Sequence, residues 1–459
     1  MDSKKSVLSG LTFGLVLLLG ASAFAAGRVL ETLGTPLLRF GVVSDIHITV
    51  EDDGTVKPRH QPNLKRFASA LRDFDKMKVD AVVIAGDMAN CGRVAELEAV
   101  GCLWDEVFPN NRAADGRPVE KVFIYGNHDP GKWESVNKNG ERLIADDLAG
   151  SWEKAFHEPF KPAYVKTVKG YDFVGVHWGN EGKTAAVSAI DEAGKKGRLF
   201  FHVQHPHVKN TVYGGNVWGQ DNGAVFKTLA KYPQAVSFSG HSHMPLENEQ
   251  SVWQGEFTAL GTASLCYLEM SSYRTWPFPR GYENGPSKVP AAEREKVAAS
   301  KLMANEQWNT GHGQGYLVSV YADRVVFTRR EFVEGVQVGE DWVLPLDGTK
   351  PLSLAERVKR TPPPGFPADA KLSITQTEVK KGGKKVPALQ LDFPSATGAY
   401  EYQVFGTGAD GNPVESWVYA SKQKVVLDPG RFADGKAVFE VFPVDSLGQR
   451  GKALKGVRK

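Results

Sequence analysis

Within the first 245 residues, five apolar runs each stop at side chains that can bind a metal ion. "LLRFGVV" runs into Asp45 and His47, "VDAVVIAG" into Asp87, and "VEKVFIYG" into Asn127, His128 and Asp129. "RLFFHVQ" is followed by His205, and "AVSFSG" by His241 and His243. Between the first three lie two stretches of helical periodicity, "NLKRFASALRDFDKM", with Asn63 as its expected cap, and "RVAELEAVGCLWDEVF". Buried strands alternating with helices are βαβ grammar, which predicts an α/β sheet covered on both faces. In such a sheet the carboxyl ends of the parallel strands share one edge. Residues far apart in the chain therefore meet there.

Further strands are expected at "YDFVGVH", "GEFTALGTAS" and "GYLVSVYADRVVFTRREF", the last a hairpin around Ala322 and Asp323. Ser271 to Gly315 reads as an insertion or long loop holding one helix-like piece, "PAAEREKVAASKLMANEQW". Composition shifts near Pro351, where "RVKRTPPPGFPADA" predicts a semi-rigid linker. Short strands with regular turn residues follow, the pattern of a small β-sandwich. The expected division is a signal peptide at 1–25, a catalytic domain at 36–350, a linker at 351–369 and an all-β sandwich at 370–456. Within the last part "GTGADG" matches GxGxxG, but Asn412 and Pro413 stand where a helix would have to begin, so a hairpin turn is expected there.

A chain of 459 residues with a formal charge of only +3 and no dense basic block carries no electrostatic footprint for nucleic acid. Lys4 and Lys5 precede the apolar run "VLSGLTFGLVLLLGASAFAA", which ends in the small-x-small pattern Ala23-Phe24-Ala25. This predicts an exported protein, periplasmic or secreted, with no stable membrane span after cleavage; an uncleaved N-terminal anchor is the alternative. Cys91, Cys102 and Cys266 are too few and odd in number for a disulfide framework. Buried free thiols are expected, and a Cys91 to Cys102 bridge is the alternative.

With His128 and Asp129 set aside for catalysis, the strand ends supply two aspartates, one asparagine and four histidines, with no thiolate. Oxygen and imidazole donors suit divalent or trivalent Mn, Fe, Zn or Co rather than a calcium cage or a zinc finger. Seven donors exceed the needs of one ion that keeps a position open for substrate, so two ions sharing a carboxylate are expected. The two histidines of "GHSH" could serve one ion each, with Gly240 letting the chain turn away from its strand.

The ordered set "DIH", "GD", "GNHD", a later His and "GHSH" resembles the calcineurin-like metallophosphoesterases over about Phe40 to Phe332. The resemblance implies a four-layered αββα sandwich and a small phosphate ester, mono or di, as substrate. It implies that Asp45, His47, Asp87 and His243 hold one metal, and that Asp87, Asn127, His205 and His241 hold the second. His128 would be the catalytic imidazole, with Asp129 fixing its tautomer, and a metal-activated hydroxide would attack phosphorus. Purple acid phosphatases have a tyrosine where this chain has Asn90, which argues against a tyrosinate-bound ferric centre. The closing "FEVFPVDSLGQRG" resembles fibronectin type III or immunoglobulin-like modules.

In "HVQHPH" His205 is the expected ligand, His207 the alternative and His202 a core residue. Asn90, His177, Tyr213 and His312 are candidates for a pocket lining, while His60 and His157 read as surface positions. Glu51 to Gln61, Trp178 to Arg198 and Ser271 to Gly315 are the loops expected to select the substrate. The reading from another class is a non-catalytic binding protein with a structural metal site.

Overall fold

The computed structural model describes residues 34–130, 148–215, 220–269, 308–309, 311–381, 383–407, 413–419, 423–427 and 437–458. The expected signal peptide and most of the Ser271 to Gly315 insertion lie outside them. No helix among the described residues is long and apolar enough to cross a membrane.

Two sheets form the centre of the first domain. In the first, the order is β14 (Val336–Gln337), β13 (Arg324–Glu331), β12 (Gln314–Val320), β1 (Leu38–Val43), β2 (Ala81–Ala85) and β3 (Glu120–Ile124), with β15 (Trp342–Pro345) also on β13. Strands β1, β2 and β3 are parallel, and the predicted β12–β13 hairpin is antiparallel. The second sheet runs β4 (Ala163–Val168), β5 (Tyr171–Val176), β6 (Phe200–Val203), β7 (Ala235–Ser239), β9 (Thr258–Gly261) and β8 (Val252–Gln254), with β5, β6, β7 and β9 parallel. A short ladder joins β10 (Leu268–Glu269) to β11 (Trp308–Asn309).

The five strands that carry the chemistry are thus divided between two sheets, not set in one. Alternate residues explain the packing. Phe40, Val42, Val83 and Ile124 of the first sheet meet Phe173, Phe201, Val203 and Phe238 of the second. Val43, Val82, Ile84 and Phe123 face the opposite way, onto the helices Gln61–Lys76, Val94–Val107 and Leu148–Phe156. Val174, Phe200 and Ala235 face the helices Asn180–Gly194 and Ala224–Leu229. Each sheet is buried on both faces because it has helices on one side and the other sheet on the other, giving four layers, α/β/β/α.

Three local expectations change. Asn63 lies inside the first turn of its helix, which His60 precedes as cap; its side-chain amide donates to the His47 carbonyl and to Cys266 Sγ. Most of the expected Trp178 to Arg198 loop is the Asn180–Gly194 helix, whose buried face is the modest set Ala186, Ala189, Ile190 and Ala193. In the expected linker, Leu354–Arg360 forms a helix, and its Arg357 guanidinium is buried against the Leu352 and Val252 carbonyls and Glu249. The cysteines are free thiols, as expected, but none is fully buried: Cys91 and Cys266 are half-buried and Cys102 is exposed.

Beyond Pro367 strands are the regular elements of the described residues. β16 (Ser373–Lys381), β17 (Lys384–Asp392) and β20 (Lys424–Leu427) form one antiparallel sheet. β19 (Pro413–Tyr419), β18 (Glu401–Thr407), β21 (Val438–Val444) and β22 (Leu454–Val457) form the other, around Leu391, Tyr402, Phe439 and Val441. Antiparallel β18 and β19 pair up to Thr407 and Pro413 on either side of the GxGxxG match, whose residues 408–411, where the turn is expected, lie outside the described residues.

Candidate metal centre

Strand ends from both sheets converge on one buried cluster. Asp45 and His47 follow β1, Asp87 follows β2, and Asn127, His128 and Asp129 follow β3. His205 follows β6, and His241 and His243 follow β7. The loops after β1 and β2 are sewn together by backbone bonds from Asp45 N–H to the Gly86 carbonyl and from Ile46 and His47 N–H to the Asp87 carbonyl, all 2.9–3.0 Å. Asp45, His47, Asp87, His241 and His243 all have φ between 52° and 77°. Side chains other than glycine avoid this left-handed region, at a cost of about 1–3 kcal/mol each. Five such residues in one cluster mark backbone strain held by the surrounding core.

The donors fall into three overlapping groups: Asp45, His47 and His243; His47, Asp87 and His128; and Asp87, His205 and His241. His243 Nε2 is 3.0 Å from Asp45 Oδ1 and 3.3 Å from His47 Nε2. His205 Nε2 is 3.0 Å from Asp87 Oδ2 and 3.1 Å from His241 Nδ1, and His47 Nε2 is 3.6 Å from the same Asp87 oxygen. Metal–nitrogen and metal–oxygen bonds of about 2.1 Å place neighbouring donors about 3.0–3.4 Å apart at octahedral or tetrahedral angles. The observed spacings therefore fit the edges of coordination polyhedra. Asn127 Oδ1 is buried with no hydrogen-bond partner among the described residues, as suits an acceptor aimed at a cation.

Backbone carbonyls set the imidazole tautomers. Nδ1 of His205 donates to Ala85 at 2.7 Å, Nδ1 of His243 to Tyr267 at 3.2 Å, and Nδ1 of His128 to Asn90 at 2.8 Å. Each bond turns Nε2 towards the cluster. The Asn90 carbonyl therefore does what was expected of Asp129. The Asp129 carboxylate instead accepts from Ala89 N–H and Gly126 N–H, both at 2.7 Å, bracing the loop after β2 against the loop after β3. Sequence offered no signal for this, because the bond to His128 uses a main-chain oxygen.

Burial alone would raise the carboxyls, but His243 and His205 hold Asp45 well below the carboxylate range, and His205 lowers Asp87 likewise. Burial works against charge on His205 too, and Asp87 and Asp45 outweigh it and bring that imidazole to about 9. Among the described residues, every ion-pair partner of the two aspartates is a histidine. Buried carboxylates need compensating positive charge, which two metal cations would meet. This donor set fits the metals that the resemblance implies.

"HVQHPH" resolves by geometry. His205 lies in the cluster, whereas His207 has Nδ1 2.8 Å from Ser239 Oγ and Nε2 2.7 Å from Ser242 Oγ, pinning the serine between His241 and His243. His202 bonds Ser237 Oγ on the helix-covered face. His177 accepts Tyr125 N–H and packs among Tyr125, Trp152 and Phe160, so it belongs to the core rather than a pocket. Tyr213 is buried against His207. His312 is half-buried, 3.6 Å from Glu331. His60 is half-buried, not a surface residue, and its Nδ1 donates to the His47 carbonyl; His157 is exposed as expected.

Residues 38–245 match the family model described as calcineurin-like phosphoesterase. No curated protein matches the chain in sequence. Among solved structures, a dimetal phosphatase from Danio rerio is 12% identical, covers 68% of this chain and 99% of its own, and has a TM-score of 0.33. A purple acid phosphatase from yellow lupin (Lupinus luteus) seeds is 12% identical, covers 67% and 53%, and scores 0.40. An FN3 domain of human collagen XX is 19% identical over 21% of this chain and 98% of its own, at 0.16. These scores are low, and the α/β metallophosphoesterase fold rests on the strand order and the family match.

Proposed function

Because residues 38–245 match the calcineurin-like phosphoesterase family model, we propose that the protein hydrolyses phosphomonoesters or phosphodiesters at a dinuclear metal centre. One observation carries the proposal: Asp87 Oδ2 lies within 3.0–3.6 Å of donors from two histidine groups, so a single carboxylate is shared between them. Asp45, His47, Asp87 and His243 would hold one ion; Asp87, Asn127, His205 and His241 would hold the other. When bound, two such cations supply Lewis acidity for the phosphoryl oxygens and let water lose a proton near neutral pH.

The protein's own groups do the rest. The Asn90 carbonyl can only accept, so Nδ1 of His128 keeps its proton, and it is the imidazolium form that gives its second proton, from Nε2, to the leaving oxygen and is left neutral. Asp87 Oδ1 accepts His128 N–H at 2.8 Å, which ties the position of this imidazole to the shared carboxylate. Asp129 keeps the loops bearing Asp87 and Asn127 at a constant separation.

Two further parts of the reading concern the ends of the chain. Lys4, Lys5 and the apolar run to Ala25 support export to the periplasm or beyond. The three-strand and four-strand antiparallel sheets after Pro367 support a fibronectin type III-like module. The test of function is metal analysis of the purified protein together with hydrolysis of p-nitrophenyl phosphate and its bis ester, with and without chelator. Two ions per chain and chelator-sensitive cleavage are expected. Failure to cleave either ester with Mn, Fe, Zn or Co rejects the reading.

A further inference from the structure

The cluster has two dissimilar flanks. His128 borders the side formed by His47 and Asp87, its ring centroid 4.6 Å from that of His47. Trp178 borders the other side, its ring 6.1 Å from that of His241 and 6.4 Å from that of His205. Asp87 belongs to the donor groups on both sides.

Trp178 is held in place without being consumed by the core. Its N–H donates to the Tyr125 carbonyl at 3.0 Å, linking the end of β5 to the end of β3, and the neighbouring His177 is buried. The indole is half-buried. Lys183, one turn into the following helix and exposed, places Nζ 5.6 Å from the ring centroid. An indole with a cation over its ring thus stands beside the cluster, on the flank away from the imidazole assigned to the leaving group.

A phosphomonoester has one organic arm, and the proton donor takes it. A phosphodiester has a second arm that stays on phosphorus and must be accommodated elsewhere. We infer that Trp178 and Lys183 form the subsite for this second arm, selecting phosphodiesters whose retained group is a flat aromatic or heteroaromatic ring, as in aryl or nucleoside esters. The indole stacks on the ring, and Lys183 adds a cation at its edge. This inference rests on the phosphoesterase reading above and narrows its substrate class.

The test compares p-nitrophenyl phosphate, bis(p-nitrophenyl) phosphate and ethyl p-nitrophenyl phosphate with wild type, W178A and W178F, each at equal metal content and with melting temperatures recorded. The ratio of kcat/KM for the bis-aryl diester to that for the monoester should fall about tenfold in W178A and recover in W178F. The same ratio with the ethyl aryl diester should change less than twofold. Metal-loaded H128A protein, in which turnover is slow, should bind the bis-aryl diester about tenfold more weakly when W178A is added, by calorimetry. An unchanged bis-aryl ratio, or equal Kd with and without W178A in metal-loaded H128A protein, overturns the subsite. Absence of cleavage of every ester by metal-loaded wild type instead defeats the phosphoesterase reading, so the two failures are distinct.

Discussion

Gly240 stands so close to Asp45 that a Cβ added to it would lie 2.5 Å from Asp45 Oδ2 and 2.8 Å from Ser44 Oγ. The glycine of "GHSH" is therefore needed for space rather than for turning: its φ lies outside the left-handed region, whereas His241 and His243 adopt it. Gly240→Ala should displace the Asp45 carboxylate and cost about 1–3 kcal/mol of stability, as overpacking does. Elemental analysis should show reduced metal occupancy in a protein that still melts cooperatively.

Asp87 and His128 should separate binding from turnover. Asp87→Ala is expected to lose both ions, since its carboxylate serves both donor groups. His128→Ala should retain them and lower kcat by about 10²–10⁴-fold, the usual contribution of a general acid. Metal stoichiometry and kcat measured on the same preparations check this, and equal metal loss in both variants contradicts it.

Asp129→Asn replaces one of two acceptor oxygens with an amide donor. Either Ala89 N–H or Gly126 N–H then loses its 2.7 Å partner in a fully buried place. A loss of about 1–3 kcal/mol is expected from the stranded donor, read by urea denaturation. Because Asn90 rather than Asp129 holds His128 Nδ1, the alkaline limb of the pH–rate profile, where a general acid loses its proton, should stay where it is in wild type.

Burial alone pushes His202 down to about 3, while the unfolded value is about 6.5. As pH falls below about 6.5 the unfolded chain takes up a proton that the folded chain refuses, so stability drops; above 6.5 this contribution is constant. His202→Gln should lower the slope of unfolding free energy between pH 6 and pH 4 by about 1.4 kcal/mol per pH unit. Denaturant titrations at three pH values measure it.

Arg357 fastens the Leu354–Arg360 helix to the first domain through buried bonds to Val252, Leu352 and Glu249. Arg357→Ala leaves Glu249 with Arg329 as its remaining guanidinium partner and should cost about 3 kcal/mol. Limited proteolysis should then cut between Leu354 and Pro364, where the wild-type chain resists.

Much of the site was legible because metal donors sit where apolar strands stop, and a strand end is visible in a sequence. Asp45, Asp87, Asn127, His241 and His243 all follow this rule. The same rule favoured His205 over His207, which lies beyond Pro206, but could not show what His207 does; the serine hydroxyls that occupy it come from β7 and the loop after it. The Asn180–Gly194 helix was missed because its buried positions are mostly alanine and its start is glycine, which leaves a weak periodic signal.

The order of strands, the residue types at their ends and the absence of thiolates were written in the chain itself, and they limited the chemistry to oxygen and imidazole donors. Partners made from main-chain atoms were not. The Asn90 carbonyl on His128, the Ala89 and Gly126 amides on Asp129, and the close approach of Gly240 to Asp45 depend on where loops from two sheets come to rest. Every residue has the same backbone groups, so their pairing carries no signature in side-chain identity and is decided only when the two sheets pack.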